Sequence, residues 1–223
     1  MQLRPPLGIF GGTFDPIHNG HIFPVLQAAE QTQIQSIALM PNYLPAHKQA
    51  AHSSSEHRLA MVRLICQQYP IFYPESWEID QAKVSYSVET LRAFRQRLPD
   101  TPLCFFIGSD SLCNLPGWYQ WQELLNLCHF VVCRRDSESD PLQRSPYRQQ
   151  VETLLAEHQT IDSADLATHL NGKIYLASTS EIAMSSTQVR SLLTTGQAVE
   201  NALPRSICEY IEQHKLYRQS ANF

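Results

Sequence analysis

Short apolar runs alternate with helical stretches along almost the whole chain, and this alternation limits the folds available to it. Residues 7–10, 36–40, 103–107, 129–133 and 173–177 each read as a buried strand. Between them lie stretches with helical spacing of apolar side chains. One starts near Gly20 and carries Ile22, Val25, Leu26 and Ala29 on one face. Others carry Leu59, Val62, Cys66 and Tyr69, and then Leu91, Phe94 and Leu98. Strands that alternate with helices predict an α/β fold with a doubly wound parallel sheet and helices on both faces. Such sheets bind ligands beyond the C-terminal ends of their strands. Gly11, Pro41, Gly108 and Ser178 stand just past predicted strand ends.

The remaining segments are read more coarsely. Ser53-x-x-Glu56 has the form of a capping box ahead of the second helix. Residues 71–79 read as extended, with a break at Pro74, and a short helix is expected over 118–126. Residues 136–146 read as an exposed, mobile loop, followed by a helix over 149–157. No element is assigned over 158–172. Helices are expected over 186–195, closed by Gly196, and over 204–214.

Length and composition narrow the function. A chain of 223 residues, 43% of them hydrophobic, suits one domain with a substantial core. A net charge of −4 argues against a general nucleic-acid binder, so an anionic substrate needs a local cluster of positive groups. The six cysteines include no CxxC pair and read as free thiols of a reducing compartment. No run is long or apolar enough to span a membrane, and no signal peptide is apparent. These features predict a cytoplasmic protein with neither nucleic acid nor membrane as partner. A homo-oligomer is compatible with them.

Two stretches carry candidate chemistry. The first, Gly11-Gly12-Thr13-Phe14-Asp15-Pro16-Ile17-His18-Asn19-Gly20-His21, follows the first strand. Its glycines predict a sharp turn with close backbone approach to a ligand. Its end predicts a helix N-terminus whose N–H groups suit a phosphate, with His18 and His21 as added donors. An HxxH pair could be half a metal site, but no cysteine or carboxylate sits at ligand spacing nearby. The second stretch, Met184-Ser185-Ser186-Thr187-Gln188-Val189-Arg190, sets three hydroxyls at a helix start with Arg190 one turn after Ser186. It reads either as an anion clamp or as a serine cap followed by a surface arginine.

The string GGTFDPIHNGH resembles the nucleotidyltransferase signature G-x-F-D-x-x-H-x-G-H, and Ser185-Ser186-Thr187-x-Val189-Arg190 resembles its partner I-S-S-T-x-[IV]-R. With both in order, the chain resembles the bacterial nicotinate-nucleotide adenylyltransferases from about residue 7 to residue 217. Pro41-Asn42-x-x-Pro45-x-His47-Lys48, Ser85-Tyr86-Ser87-x-x-Thr90-Leu91, Gly108-Ser109-Asp110 and Trp118-Tyr119 match further family patterns. Departures are mild: Ala46 replaces a proline, Ser87 a threonine and Met184 an isoleucine.

The resemblance implies a Rossmann-like single domain over 1–223, helical from about residue 184. It implies transfer of AMP from ATP to nicotinate mononucleotide, giving deamido-NAD and pyrophosphate. The catalytic set it implies is His18, His21, Lys48 and Arg190. Gly11, Gly12, Thr13, Phe14, Gly108, Asp110, Ser185, Ser186 and Thr187 would bind ATP. Asn42, His47, Tyr86, Thr90, Trp118 and Tyr119 would bind nicotinate mononucleotide. Mg2+ would arrive with ATP, and no metal site of the protein's own is implied. A sister transferase with another phosphate substrate and a catalytically silent nucleotide-binding regulator are the competing readings.

Overall fold

The structure is a computed structural model that describes residues 3–45, 51–135, 141–180 and 184–218. Its strands are β1 (Leu7–Gly12), β2 (Ile37–Pro41), β3 (Leu44–Pro45), β4 (Phe72–Pro74), β5 (Val84–Ser85), β6 (Leu103–Gly108), β7 (His129–Arg135), β8 (Gln159–Thr160) and β9 (Ile174–Thr179). Its helices are α1 (Asn19–Thr32), α2 (Ser55–Gln68), α3 (Trp77–Asp80), α4 (Ser87–Arg97), α5 (Ser109–Cys113), α6 (Leu124–Leu127), α7 (Arg148–His158), α8 (Asp165–Thr168), α9 (Ser186–Thr194) and α10 (Arg205–Gln213).

Seven strands hydrogen bond in the order β4-β2-β1-β6-β7-β9-β8, and β3 pairs with β5 in a small ribbon. The pairs β1–β6, β6–β7, β7–β9 and β8–β9 are parallel. The chain winds outward from β1 in two directions, which is the doubly wound α/β fold expected from the alternation. Two helices, α9 and α10, follow the last strand.

Close contacts gather the chain into two compact units. The first comprises residues 1–10, 24–38 and 85–181. Its core is the buried strand side chains Ile9, Phe106, Phe130, Val131 and Ile174. A Cβ on Gly8 would stand 2.7 Å from Ile37 and 2.9 Å from Phe106, so packing fixes this glycine. His129 is buried at the start of β7. Its Nε2 lies 2.8 Å from the His169 carbonyl, and its Nδ1 accepts from Lys173 N–H at 3.1 Å. The second unit comprises residues 11–23, 39–84 and 182–223. Phe14, Ile17, Met40, Met61, Val62, Ile65 and Ile207 form its core.

Several local expectations are corrected. β1 does not stop at Phe10 but runs through Gly11 and Gly12. A Cβ on Gly12 would lie 2.8 Å from the Phe14 ring, so this glycine makes room for a side chain. The turn falls later, at Phe14, whose φ of 51° is left-handed. Ser54, not Ser53, caps α2, accepting from His57 N–H at 3.4 Å. Residues 71–79 hold only the short β4 before α3 begins. The expected helix over 118–126 is a 3-10 turn at Trp121–Glu123 followed by α6. A 3-10 turn at Pro141–Arg144 occupies part of the expected loop at 136–146, of which 136–140 lie outside the described residues. The stretch 158–172 holds β8 and α8.

Candidate active site

The second unit assembles most of the predicted phosphate-handling residues around the segment Asp15–His21. Asp15 is the centre of it. Its buried carboxylate accepts from His52 N–H at 2.7 Å, Ser53 N–H at 3.2 Å, Ser53 Oγ at 2.6 Å and the Tyr217 hydroxyl at 2.7 Å. Burial works to raise the carboxyl pKa. The donors Ser53, Tyr217 and His52 N–H, with the Arg190 charge, outweigh burial and hold it below the usual carboxylate value. Asp15 is therefore an ionised anchor with its oxygens committed.

His18 and His21 follow. His18 is buried, and its Nδ1 accepts from Gly20 N–H at 3.1 Å. His21 Nδ1 accepts from His18 N–H at 3.3 Å. The ring centroids are 3.7 Å apart, and the His21 ring meets the Phe14 ring edge-on at 5.3 Å. A ring nitrogen that accepts from a backbone N–H carries no proton, so the proton of each neutral ring sits on Nε2. The pair thus offers two Nε2–H donors with their orientation set by the main chain. Gly20 is part of that geometry: a Cβ there would lie 3.0 Å from the His18 ring and 3.3 Å from the Met184 carbonyl.

The helix entrance itself differs from expectation. Asn19 N–H donates to the Ala202 carbonyl at 2.8 Å, and Gly20 N–H is taken by His18 Nδ1. His21 and Ile22 N–H both donate to the His18 carbonyl, at 2.8 and 3.3 Å. The first amides of α1 are therefore satisfied internally. The HxGH spacing lets His18 cap its own helix, and any anion here would meet ring donors instead of helix amides.

The serine-rich stretch closes on the same segment. Ser185 and Gln188 form a full capping box on α9, so the Ser185 hydroxyl serves its own helix. Ser186 Oγ donates to the Pro16 carbonyl at 3.1 Å. Arg190 Nη1 donates to the Asp15 carbonyl at 2.7 Å and lies 3.9 Å from the Asp15 carboxylate. Arg190 Nη2 donates to Thr187 Oγ1 at 3.2 Å. Those bonds use two of the five N–H donors of a guanidinium. Asn42, at the end of β2, donates from Nδ2 to Thr13 Oγ1 at 3.3 Å and from its N–H to the Gly12 carbonyl at 3.0 Å. Phe14 is buried, so its ring packs and only its backbone can serve a ligand. Lys48 and His47 lie outside the described residues.

The remaining predicted residues belong to the first unit. Gly108 occupies the N-cap position of α5, and among the described residues nothing stands within 4 Å of where its Cβ would be. Asp110 is exposed in the first turn. Tyr119 is 50% exposed, with its ring 4.8 Å from that of Tyr86. Trp118 meets Phe105 edge-on at 6.5 Å. Thr90 is buried, and its hydroxyl points back to the Tyr86 carbonyl at 3.4 Å. That bond ties the Thr90 hydroxyl to the start of its own helix.

The family-level comparison decides what this arrangement belongs to. Residues 9–192 match the cytidylyltransferase-like family. A protein of Pseudoalteromonas atlantica named "probable nicotinate-nucleotide adenylyltransferase" is 45% identical over 100% of this chain and 99% of its own. The chain belongs to the nicotinate-nucleotide adenylyltransferases of the cytidylyltransferase-like family. An Aeromonas salmonicida relative of the same name is 45% identical over 97% of this chain and 99% of its own. The fold is shared with Plasmodium falciparum nicotinic acid mononucleotide adenylyltransferase complexed with NaAD. That match has a TM-score of 0.70 at 18% identity and covers 96% of this chain and 98% of that one.

Family members by sequence can still hide functional residues from motif reading, and this adenylyltransferase does so. Asp15, Ser53 and Tyr217 form a network that joins three distant stretches, and Arg58 lies buried beneath two loops. Asp15 stands inside the signature and Tyr217 inside the C-terminal pattern, so both were visible as letters without a role. The signal for Arg58 was a cation one turn before Val62, on the apolar side of α2.

Proposed function

We infer that the site performs the reaction for which these relatives are named. The protein is an adenylyltransferase that transfers AMP from ATP to nicotinate mononucleotide, giving nicotinate adenine dinucleotide and pyrophosphate in NAD biosynthesis. The observation that carries the residue roles is the His18–His21 pair, whose two Nε2–H donors stand in the same unit as Arg190.

A phosphate oxygen of the mononucleotide attacks the α-phosphorus in line. The bond from that phosphorus to the bridging oxygen breaks, and pyrophosphate leaves with its electrons. Such transfers need positioning and charge neutralisation more than proton transfer. His18 and His21 donate to the ATP phosphates, helped by backbone of Gly11, Gly12, Thr13 and Phe14. Ser186, Thr187 and Arg190 hold the groups that become pyrophosphate, and Ser185, which caps their helix, contributes to the ATP site by fixing that helix start. Lys48 neutralises the attacking phosphate with Asn42 and His47. Gly108 and Asp110 line the adenosine site, where open space at Gly108 supports close approach. Tyr86 and Tyr119, with ring centroids 4.8 Å apart, supply an aromatic face for the pyridine ring, and Trp118 and Thr90 are assigned to the same mononucleotide site.

Among the described residues, no three His, Cys, Asp or Glu side chains converge to hold a metal ion. We propose that Mg2+ would arrive with ATP as part of the substrate and would offset the charge of its phosphate oxygens. We read the chain as one nucleotidyltransferase domain, which the family match over residues 9–192 supports. We also read it as a cytoplasmic protein without a nucleic-acid or membrane partner. Among the described residues no helix is long and apolar enough to cross a membrane. Incubation with ATP and nicotinate mononucleotide should release pyrophosphate, and nicotinamide mononucleotide should be the poorer substrate. No pyrophosphate from either nucleotide would refute the reading.

A further inference from the structure

Among the described residues Arg58 is the largest of the fully buried side chains, and the reaction scheme leaves it without a task. It stands in the first turn of α2 with 1% of its surface exposed. Its guanidinium reaches carbonyl oxygens on two loops. Nη1 donates to the Thr13 carbonyl at 2.9 Å, the Asn42 carbonyl at 2.6 Å and Asn42 Oδ1 at 3.3 Å. Nη2 donates to the Tyr43 carbonyl at 2.9 Å. Among the described residues Nε has no hydrogen-bond partner. Burial lowers the pKa of this arginine, and the Asp15 charge opposes that fall. Neutral carbonyls repay a buried cation less well than a paired carboxylate does, and an apolar side chain at this helix position would avoid the desolvation. Stability alone is therefore a poor reason for an arginine here.

The contacts themselves suggest the reason. Thr13 opens the loop after β1, and Asn42 and Tyr43 lie in the loop after β2. In a trans peptide the C=O and the following N–H point in opposite directions. Drawing the Thr13, Asn42 and Tyr43 carbonyls onto one guanidinium turns the N–H groups of Phe14, Tyr43 and Leu44 the other way. The same fork fixes the spacing between the two loops, which are also joined by the Asn42–Thr13 and Asn42–Gly12 bonds.

We propose that Arg58 is a positioning residue for adenylyl transfer: its guanidinium sets the peptide planes and mutual spacing of the loops after β1 and β2. The proposal rests on the reaction assigned above, in which one loop serves ATP and the other the mononucleotide. A small misplacement of either reactant is enough to cost on the order of a hundredfold in rate. The geometric fork matters here and not the charge alone, because a lysine ammonium is a single point that cannot span the same carbonyls.

The test uses the full chain with Arg58→Lys, Arg58→Gln and Arg58→Met, each assayed well below its own melting temperature and corrected for folded fraction. For Arg58→Lys we expect kcat per folded molecule to fall roughly a hundredfold, and the KM values for ATP and nicotinate mononucleotide to rise together. Arg58→Gln, with a smaller planar donor group, should recover part of that loss. Wild-type kcat and both KM values in folded Arg58→Lys would overturn the positioning role. So would failure of all three variants to fold, which would make Arg58 a folding residue. The reaction itself is judged separately: a wild-type protein that forms no pyrophosphate would refute the assigned activity, and the role of Arg58 with it.

Discussion

The Tyr217 hydroxyl donates to Asp15 Oδ1 at 2.7 Å, joining residues 202 positions apart in the chain. The same hydroxyl lies 3.0 Å from Ser53 Oγ, and Thr194 Oγ1 donates to the Tyr217 carbonyl at 3.1 Å. Tyr217 is thus pinned to the segment that presents His18 and Arg190's carbonyl partner. Burial and the nearby Asp15 charge push the Tyr217 phenol well above its usual pKa, so it remains a donor at neutral pH.

Tyr217→Phe removes one of four donors from a buried carboxylate. Hydrogen bonds to charged groups contribute about 1.5–3 kcal/mol, so the melting temperature should fall by several degrees. The pH dependence has a definite sign. Asp15 titrates below its unfolded value of 3.8, so its contribution is complete above that pH and is lost as pH falls through the folded value. Without the phenol, the Asp15 pKa rises, and acid unfolding should begin at a higher pH than in wild type. Identical acid-unfolding curves would show that Ser53 and His52 N–H suffice.

The ring tautomers make the histidines separable from the fold. An asparagine side chain can accept the backbone N–H that Nδ1 now accepts, but it has no atom in the place of Nε2. His18→Asn and His21→Asn should therefore fold normally and lose about a hundredfold in kcat, the usual cost of one preorganised donor. Circular dichroism and steady-state kinetics read the two effects apart. Equal losses of folded fraction and activity would reassign the histidines to structure.

Much of this was readable from sequence because burial leaves a periodic trace. The strands β2, β6, β7 and β9 are apolar runs, and helices α2, α4 and α9 keep helical spacing, so their existence followed directly. The signature placed His18, His21, Ser186 and Arg190 near one another by resemblance. What failed depended on contacts between distant residues. Ser53, Ser54 and Ser55 are equivalent as letters, and only the Asp15 carboxylate decides that Ser53 turns inward while Ser54 caps the helix. Gly11 and Gly12 read as strand breakers because glycine is poor in strands, yet the Phe14 ring needs the space beside Gly12. Strands of two residues, such as β3 and β5, are too short to show a period.

Gly20 offers a test of packing inside the signature. Alanine suits a helix better than glycine by roughly 1 kcal/mol, so on propensity Gly20→Ala should stabilise α1. The added methyl would instead sit 3.0 Å from the His18 ring, tighter than ordinary contact. The ring must shift and its bond to the residue-20 N–H must weaken. We expect kcat to fall at least tenfold, as for a partly misplaced donor, with little change in melting temperature. An alanine variant of wild-type activity would show that the ring has room to move.

Arg190→Lys tests the geometry of the clamp. Arginine bonds the Asp15 carbonyl and Thr187 Oγ1 with separate nitrogens of one planar group, a span that an ammonium cannot reproduce. Lysine should recover only part of the activity that Arg190→Ala loses, measured as kcat/KM for ATP. Full recovery would mean that charge alone is required.

His129 predicts how stability should respond to mild acid, independently of catalysis. The ring is fully buried at the start of β7. Its Nδ1 accepts from Lys173 N–H and its Nε2–H donates to the His169 carbonyl, so the neutral form is satisfied and a second proton has no acceptor. Burial, chiefly, pushes its pKa from 6.5 down to about 4. For a base with a lowered folded pKa, the unfolded chain takes up the proton first as pH falls. The contribution of His129 is therefore complete above 6.5, declines between 6.5 and about 4, and is constant below. At 1.36 kcal/mol per pKa unit, the full loss is on the order of 3 kcal/mol, with about 2 kcal/mol of it gone by roughly pH 5. His129→Gln removes the titrating group while keeping an amide donor and acceptor. Urea unfolding at neutral pH and near pH 5 should show a smaller pH-dependent loss for the glutamine variant than for wild type. Equal losses would mean that His129 is not what makes the fold acid-sensitive in this range.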